Sequence, residues 1–502
     1  MADETRLTKL EPGMPILVGG DRIVRVSDEL ASKFQPGDKL IAVRKTGEIL
    51  HVPKAVHDLA ADAVTKACKA FDVFKAASDE SITKFYTEFS ARLADDAVWG
   101  QIAKVNEEDV ERAKAKGRST TRLVAGDKMR KDMIAGLAQW ANLESRRDKA
   151  RCTVDHEGWS VDEVVSPYGV VAFVFEGRPN VLADATGVLR SGNTAVFRIG
   201  SDALSTAKAI MELALNPALA ASGLPEGAVV LLESVEHSAG WALFADTRLA
   251  LAVARGSGRT VDTLGAIARE AGNDVSLHGT GGAWIIADKT ADVTRFELAI
   301  YNSTDRKVCN TLNVVCIPRY RAGALVPRML DALKRRGEKL GYGYRLHVAE
   351  GSEDIIPSKL FEDETDVLRA TGVQREKIAT MLPADQLGRE WEWEQTPEVT
   401  VVVIEDLDEG IRLFNTRSPL LVASIISEDA AAHERFLREM NAPFLGNGFT
   451  RWVDGQYALC RPELGISNWQ NGRLLARAAV LTGDGVFTIK LRVRQHDPDV
   501  HR

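Results

Sequence analysis

One cysteine stands where covalent chemistry is feasible. In Asp305-Arg306-Lys307-Val308-Cys309-Asn310-Thr311 the sulfur falls between a predicted helix and a predicted strand, with two cations within three residues of it. Cationic neighbours favour thiolate over thiol, and the thiolate is the form that attacks an electrophilic carbon. Spacing alone does not say where Arg306 and Lys307 point, so a nucleophile and an ordinary small apolar residue both remain open readings of Cys309. Cys316 sits mid-strand among Val314, Val315 and Ile317 and reads as core. A second stretch, Arg255-Gly256-Ser257-Gly258-Arg259, joins a predicted strand to a predicted helix. Backbone N–H groups and the helix dipole at such a junction attract phosphate. The match to the dinucleotide fingerprint is partial, because Val261 takes the place of the third glycine, and a plain tight turn is the competing reading.

These residues need elements to hold them, and the chain supplies two series. The runs Ile16–Val18, Arg22–Val26, Lys39–Val43 and Ile49–Val52, separated by glycine turns, read as a small β-rich appendage over residues 1–58. Helical periodicity follows from Ala55 to about Trp140. Between 165 and 290, apolar strand-like runs such as Gly169–Phe175, Thr194–Ile199, Ala228–Leu232, Leu249–Ala254 and Ala283–Ile286 alternate with helical segments. That order predicts a parallel, Rossmann-like sheet covered by helices. A second β/α series runs from 290 to about 450, and Gly485–Val493 alternates in and out as an outlying strand whose expected partner is Cys152–Val161. The resulting division is an extension over 1–58, a dinucleotide-binding domain over 59–289 with 150–162 as an oligomerisation strand, a thiol domain over 290–450, and a return segment with a further oligomerisation strand over 451–502.

Composition narrows the function classes. Over 502 residues, 45% are hydrophobic and 27% charged, as in soluble globular chains, and 64 basic against 71 acidic side chains leave a net charge of −7. That balance gives no footprint for nucleic acid or an anionic membrane. The five cysteines include no CxxC pair and no Cys/His cluster at zinc spacing, so no metal site is expected and a reducing compartment fits. The charged N-terminus lacks an apolar core and no apolar run reaches spanning length, so a cytoplasmic protein is expected.

Five blocks recur together in a known arrangement: Pro167–Asn180 (PYGVVAFVFEGRPN), Ser191–Arg198 (SGNTAVFR), Arg255–Gly258 (RGSG), Val308–Thr311 (VCNT) and Phe449–Gly455 (FTRWVDG). In order and separation they resemble the aldehyde dehydrogenase superfamily, most closely its gamma-glutamyl phosphate reductase (glutamate-5-semialdehyde dehydrogenase) branch, over roughly residues 60 to 480. The resemblance implies an α/β fold of two Rossmann-like parallel-sheet domains plus β strands for oligomerisation, a homodimer or homotetramer. It makes Cys309 the catalytic thiol and Asn180 the side-chain donor of an oxyanion hole, with the Cys309 N–H as second donor. Each fixed donor aimed at the developing oxyanion contributes on the order of 3 kcal/mol. Arg198, Ser201 and Asp202 fall where the superfamily holds the adenosine ribose, and Gly256, Ser257 and Gly258 form the glycine loop. A cation and a hydroxyl suit a 2′-phosphate, so NADP is expected over NAD. Thr450 and Arg451 are the expected substrate-anion contacts, with Arg461 a weaker candidate.

One departure carries weight. Members that release a free acid have a glutamate ahead of a Leu-Gly-Gly turn, whereas this chain reads Val275-Ser-Leu-His-Gly-Thr-Gly-Gly282. Without a positioned base, water is a poor acyl acceptor and the thioester exchanges with phosphate or a thiol. His278 stands near the vacant position and reads as structural beside its glycine turn. The implied reaction is NADP-dependent reduction of an acyl phosphate to an aldehyde, and a kinase that makes the acyl phosphate is the further partner this chemistry implies. The alternatives are an aldehyde dehydrogenase working through His278, a coenzyme A or carrier thioester reductase, and an idle paralogue that binds through its extension. The run Glu390-Trp-Glu-Trp-Glu-Gln395 falls near the region that places a glutamate on the nicotinamide ribose, in a register ambiguous between Glu392 and Glu394.

Overall fold

A computed structural model describes residues 7–501 apart from Ser119, Thr121, Glu176, Ala370 and Asn471. The chain forms two units. One comprises the residues up to His278 together with Cys460–Ile466 and the segment from Ala476 onward, and the other comprises Gly279–Leu459 and Ser467–Leu475.

The first unit opens with two short antiparallel hairpins, β1 (Pro15–Val18) with β2 (Arg22–Arg25) and β3 (Lys39–Ala42) with β4 (Ile49–Val52), separated by α1 (Asp28–Lys33). The four strands follow the β-like runs of the sequence. Helix α1 had no apolar periodicity to announce it and is set instead by Ser27, whose hydroxyl accepts the Leu30 N–H. Four helices follow, α2 (Lys54–Phe74), α3 (Asp79–Ala94), α4 (Asp96–Ala115) and α5 (Asp127–Asn142). Along α2, Ala60, Ala63, Val64, Ala67, Ala70 and Phe74 are buried at three- and four-residue spacing, the mark of one face on a core. Next come strands β5 (Ala150–His156), β6 (Trp159–Pro167) and β7 (Val170–Phe175), then α6 (Val181–Ala185), β8 (Thr194–Ile199), α7 (Leu204–Ile210), α8 (Asn216–Ala221), β9 (Val229–Leu231), α9 (His237–Phe244), β10 (Leu249–Arg255), α10 (Gly258–Glu270) and β11 (Asp274–His278).

The sheet order is β11-β10-β7-β8-β9, every pairing parallel. Strands β7 and β8 are buried along their whole length, which is why they read as continuous apolar runs. The chain order reverses between β7 and β10, so the connections leaving these two strands diverge and open a crevice at their carboxyl ends, the place where open α/β sheets bind ligands.

Two sequence expectations are corrected here. The strand Ala283–Ala287 does not close the first sheet; it pairs in the second, and the first unit ends at His278 rather than 289. The outlying tail strand Phe487–Gln495 pairs antiparallel with β6, so that of the expected partner stretch Cys152–Val161 only Trp159, Ser160 and Val161 face it, and β5 lies on the far side of β6. Both slips have one cause, since apolar strand content does not encode which strand is the neighbour. The tail also closes the core: Ser191 Oγ donates to Gly483 O at 2.6 Å and Asn193 Nδ2 to Val486 O at 2.7 Å, all buried.

The second unit contains β12 (Ala283–Ala287), α11 (Val293–Asn302), β13 (Leu312–Pro318), α12 (Ala322–Leu340), β14 (Arg345–Ala349), the hairpin β15 (Glu364–Arg369) and β16 (Gly372–Lys377), β17 (Ala379–Leu382), β18 (Glu398–Ile404), α13 (Leu407–Arg417), β19 (Val422–Ile426), α14 (Ala430–Glu439) and β20 (Phe444–Gly446). Seven strands form a parallel sheet in the order β17-β14-β18-β13-β12-β19-β20. Separate apolar clusters cover its two faces, one centred on Phe296, Leu325 and Met329 and the other on Trp284, Phe414 and Phe436. Residues 451–459 belong to this unit and not to a return segment. Among the described residues no helix is long and apolar enough to cross a membrane.

Candidate active site

Cys309 lies in the turn between α11 and β13, at the amino-terminal edge of the seven-stranded sheet. It is half-buried, whereas Cys316 is fully enclosed and burial pushes its thiol pKa up, away from reactivity. The turn is fixed from inside by Thr311, whose Oγ1 accepts the Val308 N–H at 2.9 Å and donates to Arg306 O at 2.7 Å. It is fixed from outside by Gly281 and Gly282. The Gly282 N–H donates to Cys309 O at 2.7 Å, and a Cβ on Gly281 would stand 2.6 Å from Cys309 Cα. Only glycine permits that approach.

A carboxylate holds this pair together. Glu390 Oε2 accepts the Gly281 N–H at 2.5 Å while its Oε1 pairs with Lys307 Nζ, and both side chains are largely buried. Glu390 is in turn anchored by its neighbours: the Trp391 N–H donates to Asn313 Oδ1 at 2.9 Å, and Asn313 Nδ2 donates to Arg389 O at 2.8 Å. Lys307 is therefore not an unopposed cation beside the sulfur, because Glu390 offsets its charge. The tryptophan-rich run contains this residue, but the sequence reading left its register open between Glu392 and Glu394 and singled out neither, nor Glu390. An acidic residue followed by tryptophan, near in space to a glycine pair, leaves no one-dimensional signal.

The block 449–455 braces the same turn. The Thr450 N–H donates to Ser303 Oγ at 2.8 Å and its hydroxyl to Asn310 O at 2.7 Å, with no exposed surface left. The expected substrate contact at Thr450 is thus corrected: its hydroxyl is consumed in holding the residue after Cys309. Arg451 donates Nε to Asp305 at 2.6 Å and a second nitrogen to the Asn310 side chain, whose own Nδ2 donates to Val453 O at 2.7 Å. Arg461 pairs with Asp484 at 2.9 Å in the first unit.

In the first unit the remaining candidates gather along the carboxyl ends of the parallel strands. Asn180 precedes α6, and Asp184 accepts one hydrogen of its side-chain amide at 3.3 Å; the NH₂ group carries a second. Gly256 donates its N–H to His278 O at 3.3 Å, Ser257 is the N-cap residue of α10, and Gly258 is its first residue. His278 itself is buried at the end of β11, opposite Arg255 in the ladder, which fits a structural role. Ser201 and Asp202 lie in a short turn after β8, where Asp202 is engaged by Arg118 at 2.6 and 2.7 Å.

Arg198 tests whether this edge suits a nucleotide. Its side chain is buried, one terminal nitrogen donates to the Val235 and Glu236 carbonyls at 3.4 and 3.2 Å, and its Nε has no partner. Among the described residues no carboxylate pairs with it. A desolvated guanidinium lacking an anion, near a glycine turn that opens a helix, fits an anionic dinucleotide.

The family model described as "Aldehyde dehydrogenase family" matches residues 39–343. The chain belongs to the aldehyde dehydrogenase family. This family uses NAD(P), and its member here is an oxidoreductase acting on an aldehyde group. Gamma-glutamyl phosphate reductase of Bacillus cereus (strain AH187) is 29% identical over 378 residues, covering 73% of this chain and 82% of its own length. The enzyme of that name from Clostridium tetani is 26% identical over 377 residues, with the same 73% and 82% coverage. Among solved structures, gamma-glutamyl phosphate reductase of Thermotoga maritima shares the fold with a TM-score of 0.73 at 24% identity, covering 89% of this chain and all of its own. An engineered glycolyl-CoA reductase with bound NADP⁺ shares it at 0.61 and 15% identity, covering 88% of this chain and 98% of its own. The two-domain α/β architecture expected from the sequence is thereby borne out.

Proposed function

We propose that this aldehyde dehydrogenase family member reduces an acyl phosphate to an aldehyde through a thioester on Cys309. The Cys309 thiolate adds to the acyl carbon and the C–O bond to phosphate breaks, leaving a thioester and inorganic phosphate. Bound NADPH supplies the hydride that reduces this acyl group. Release of the aldehyde returns the thiolate. The amide of Asn180 and the N–H of Cys309 are the donors assigned to the oxyanion in both steps.

The observation that carries this reading is the contrast between the two cysteines of the second unit: one is buried mid-strand, while the other is half-exposed in a turn fixed on both sides by Thr311 and Gly282. Support for phosphate over water comes from the 275–282 segment, which supplies no carboxylate and whose single histidine is buried at a strand end. The similarity to gamma-glutamyl phosphate reductases supports the same acceptor. NADP is favoured over NAD by the buried Arg198, which no carboxylate among the described residues pairs with. Strands β5 and Phe487–Gln495, exposed along most of their length, support a homo-oligomer.

The reaction run in reverse tests this. Aldehyde and NADP⁺ are supplied with phosphate, with coenzyme A, or with neither. NADPH formation only with phosphate is the expected result, and equal rates without any acceptor would overturn it in favour of hydrolysis. Cys309→Ala abolishes turnover, while Cys316→Ala retains it and costs about 1 kcal/mol of stability.

A further inference from the structure

Asn313 stands on β13, four residues beyond Cys309, and is buried with both ends of its side-chain amide directed at one short segment. Its Oδ1 accepts the Trp391 N–H at 2.9 Å and its Nδ2 donates to Arg389 O at 2.8 Å. The amide therefore pairs with the main chain on both sides of Glu390, as a neighbouring strand would. Asn313 also packs on the glycine pair, since a Cβ on Gly282 would stand 3.0 Å from Asn313 Cβ. Gly282 is the residue whose N–H reaches Cys309 O. One side chain thus touches both segments that Glu390 joins.

The 389–391 segment has a second anchor. The Trp391 indole N–H donates to Thr400 Oγ1 at 2.8 Å, and the indole stacks on His347 with ring centroids 3.4 Å apart. These contacts hold residue 391 on the sheet without help from Asn313, which leaves to Asn313 the setting of residue 390. The same bracket occurs once more in this unit: Asn415 Nδ2 donates to Glu439 O and its Oδ1 accepts the Asn441 N–H, both at 2.8 Å. There it encloses Met440, a core residue. At Asn313 the enclosed residue is the carboxylate that holds Gly281 and Lys307.

We propose that Asn313 is a positioning residue for the thiol: it sets the Glu390 carboxylate, which fixes the glycine turn and Lys307 beside Cys309. This rests on the reading of Cys309 as the nucleophile. Without the amide, the Trp391 N–H and the Arg389 C=O lose their buried partners, and the segment shifts to recover them, carrying the carboxylate with it.

A double-mutant cycle on the full chain tests it, read as phosphate-dependent NADPH formation from aldehyde and NADP⁺. Asn313→Ala lowers kcat about tenfold and leaves KM within about twofold, because it disturbs the thiol and not the substrate contacts. In a Glu390→Ala background the same substitution has no further effect, its route to the thiol being gone; a second tenfold loss there would overturn the inference. Asn313→Asp keeps the shape and the acceptor but not the donor to Arg389 O. Its kcat relative to wild type recovers as pH falls and the buried carboxyl takes up a proton, and a deficit constant with pH would count against the bracket. Iodoacetamide alkylation of Cys309 shifts to lower pH in Asn313→Ala, as Lys307 loses its carboxylate, and stays in place in Asn415→Ala, which lowers only the melting temperature. Wild-type kcat and an unshifted alkylation profile in both folded Asn313 variants would sink the proposal. A wild-type chain without phosphate-dependent turnover would overturn the proposed reaction instead, and the alkylation profiles would still decide the place of Asn313.

Discussion

The carboxylate of Glu390 accepts the backbone N–H of Gly281, and through its other oxygen it holds Lys307, two residues before Cys309. A single side chain thus fixes both the glycine turn that supports the thiol and the nearest paired cation. Glu390→Ala is expected to lower kcat about 10- to 100-fold, as loss of a supporting hydrogen bond at a reactive centre does. Glu390→Gln keeps an acceptor for Gly281 but unpairs Lys307, so alkylation of Cys309 by iodoacetamide shifts to lower pH. A merely structural carboxylate would change the melting temperature in both variants and leave the alkylation profile where it was.

Gly281 tolerates no side chain. A methyl group there meets the Cys309 backbone at 2.6 Å, and the turn has to move. Gly281→Ala is expected to reduce kcat on the order of 100-fold, because small displacements of a nucleophile have effects of that size. Steady-state kinetics alongside a thermal melt separates this from unfolding.

Acid stability should reflect a buried histidine in the second unit. His347 Nε2 donates to the Glu398 carboxylate at 2.9 Å and the ring stacks on Trp391, and burial holds its pKa below the usual histidine value. Hydrogen bonds from His347 and Arg369 hold Glu398 below the ordinary carboxylate range despite its burial. The folded histidine resists protonation that the unfolded chain accepts, so stability falls as pH drops below about 6.5, and the glutamate adds a further loss as pH falls below its usual value of about 4.3. Denaturant midpoints of wild type and His347→Gln between pH 7 and 5 check this; the variant should show the flatter dependence.

Leu491 and Val493 are exposed on the tail strand, at 72% and 60%. If this strand joins copies of the chain, Leu491→Glu combined with Val493→Glu converts the oligomer to monomer. Light scattering reads the mass directly.

The strands and the thiol turn were legible because their signals are local. Continuous apolar runs announce doubly covered strands such as β7 and β8, and Cys309 within the largely polar run Asp305–Thr311, between a helix and a strand, announces a connecting turn. The supports of that turn were not legible. Glu390 lies 81 residues beyond Cys309, and its significance depends on a backbone N–H that no residue type encodes. Thr450 was found but given the wrong task, since a hydroxyl reads alike whether it faces substrate or a buried carbonyl. The pairing of the tail with β6 was missed by a few residues because alternation fixes which face a strand buries, not its neighbour.

The buried bonds from Ser191 and Asn193 to the Gly483–Val486 segment have a bearing on biogenesis. While the ribosome is still working, the first unit has every strand of its parallel sheet yet must wait until residues 483–486 have been made before that seam is sealed. A stop codon near 480 should therefore cripple the first unit first, although it removes nothing from the unit that carries the sulfur.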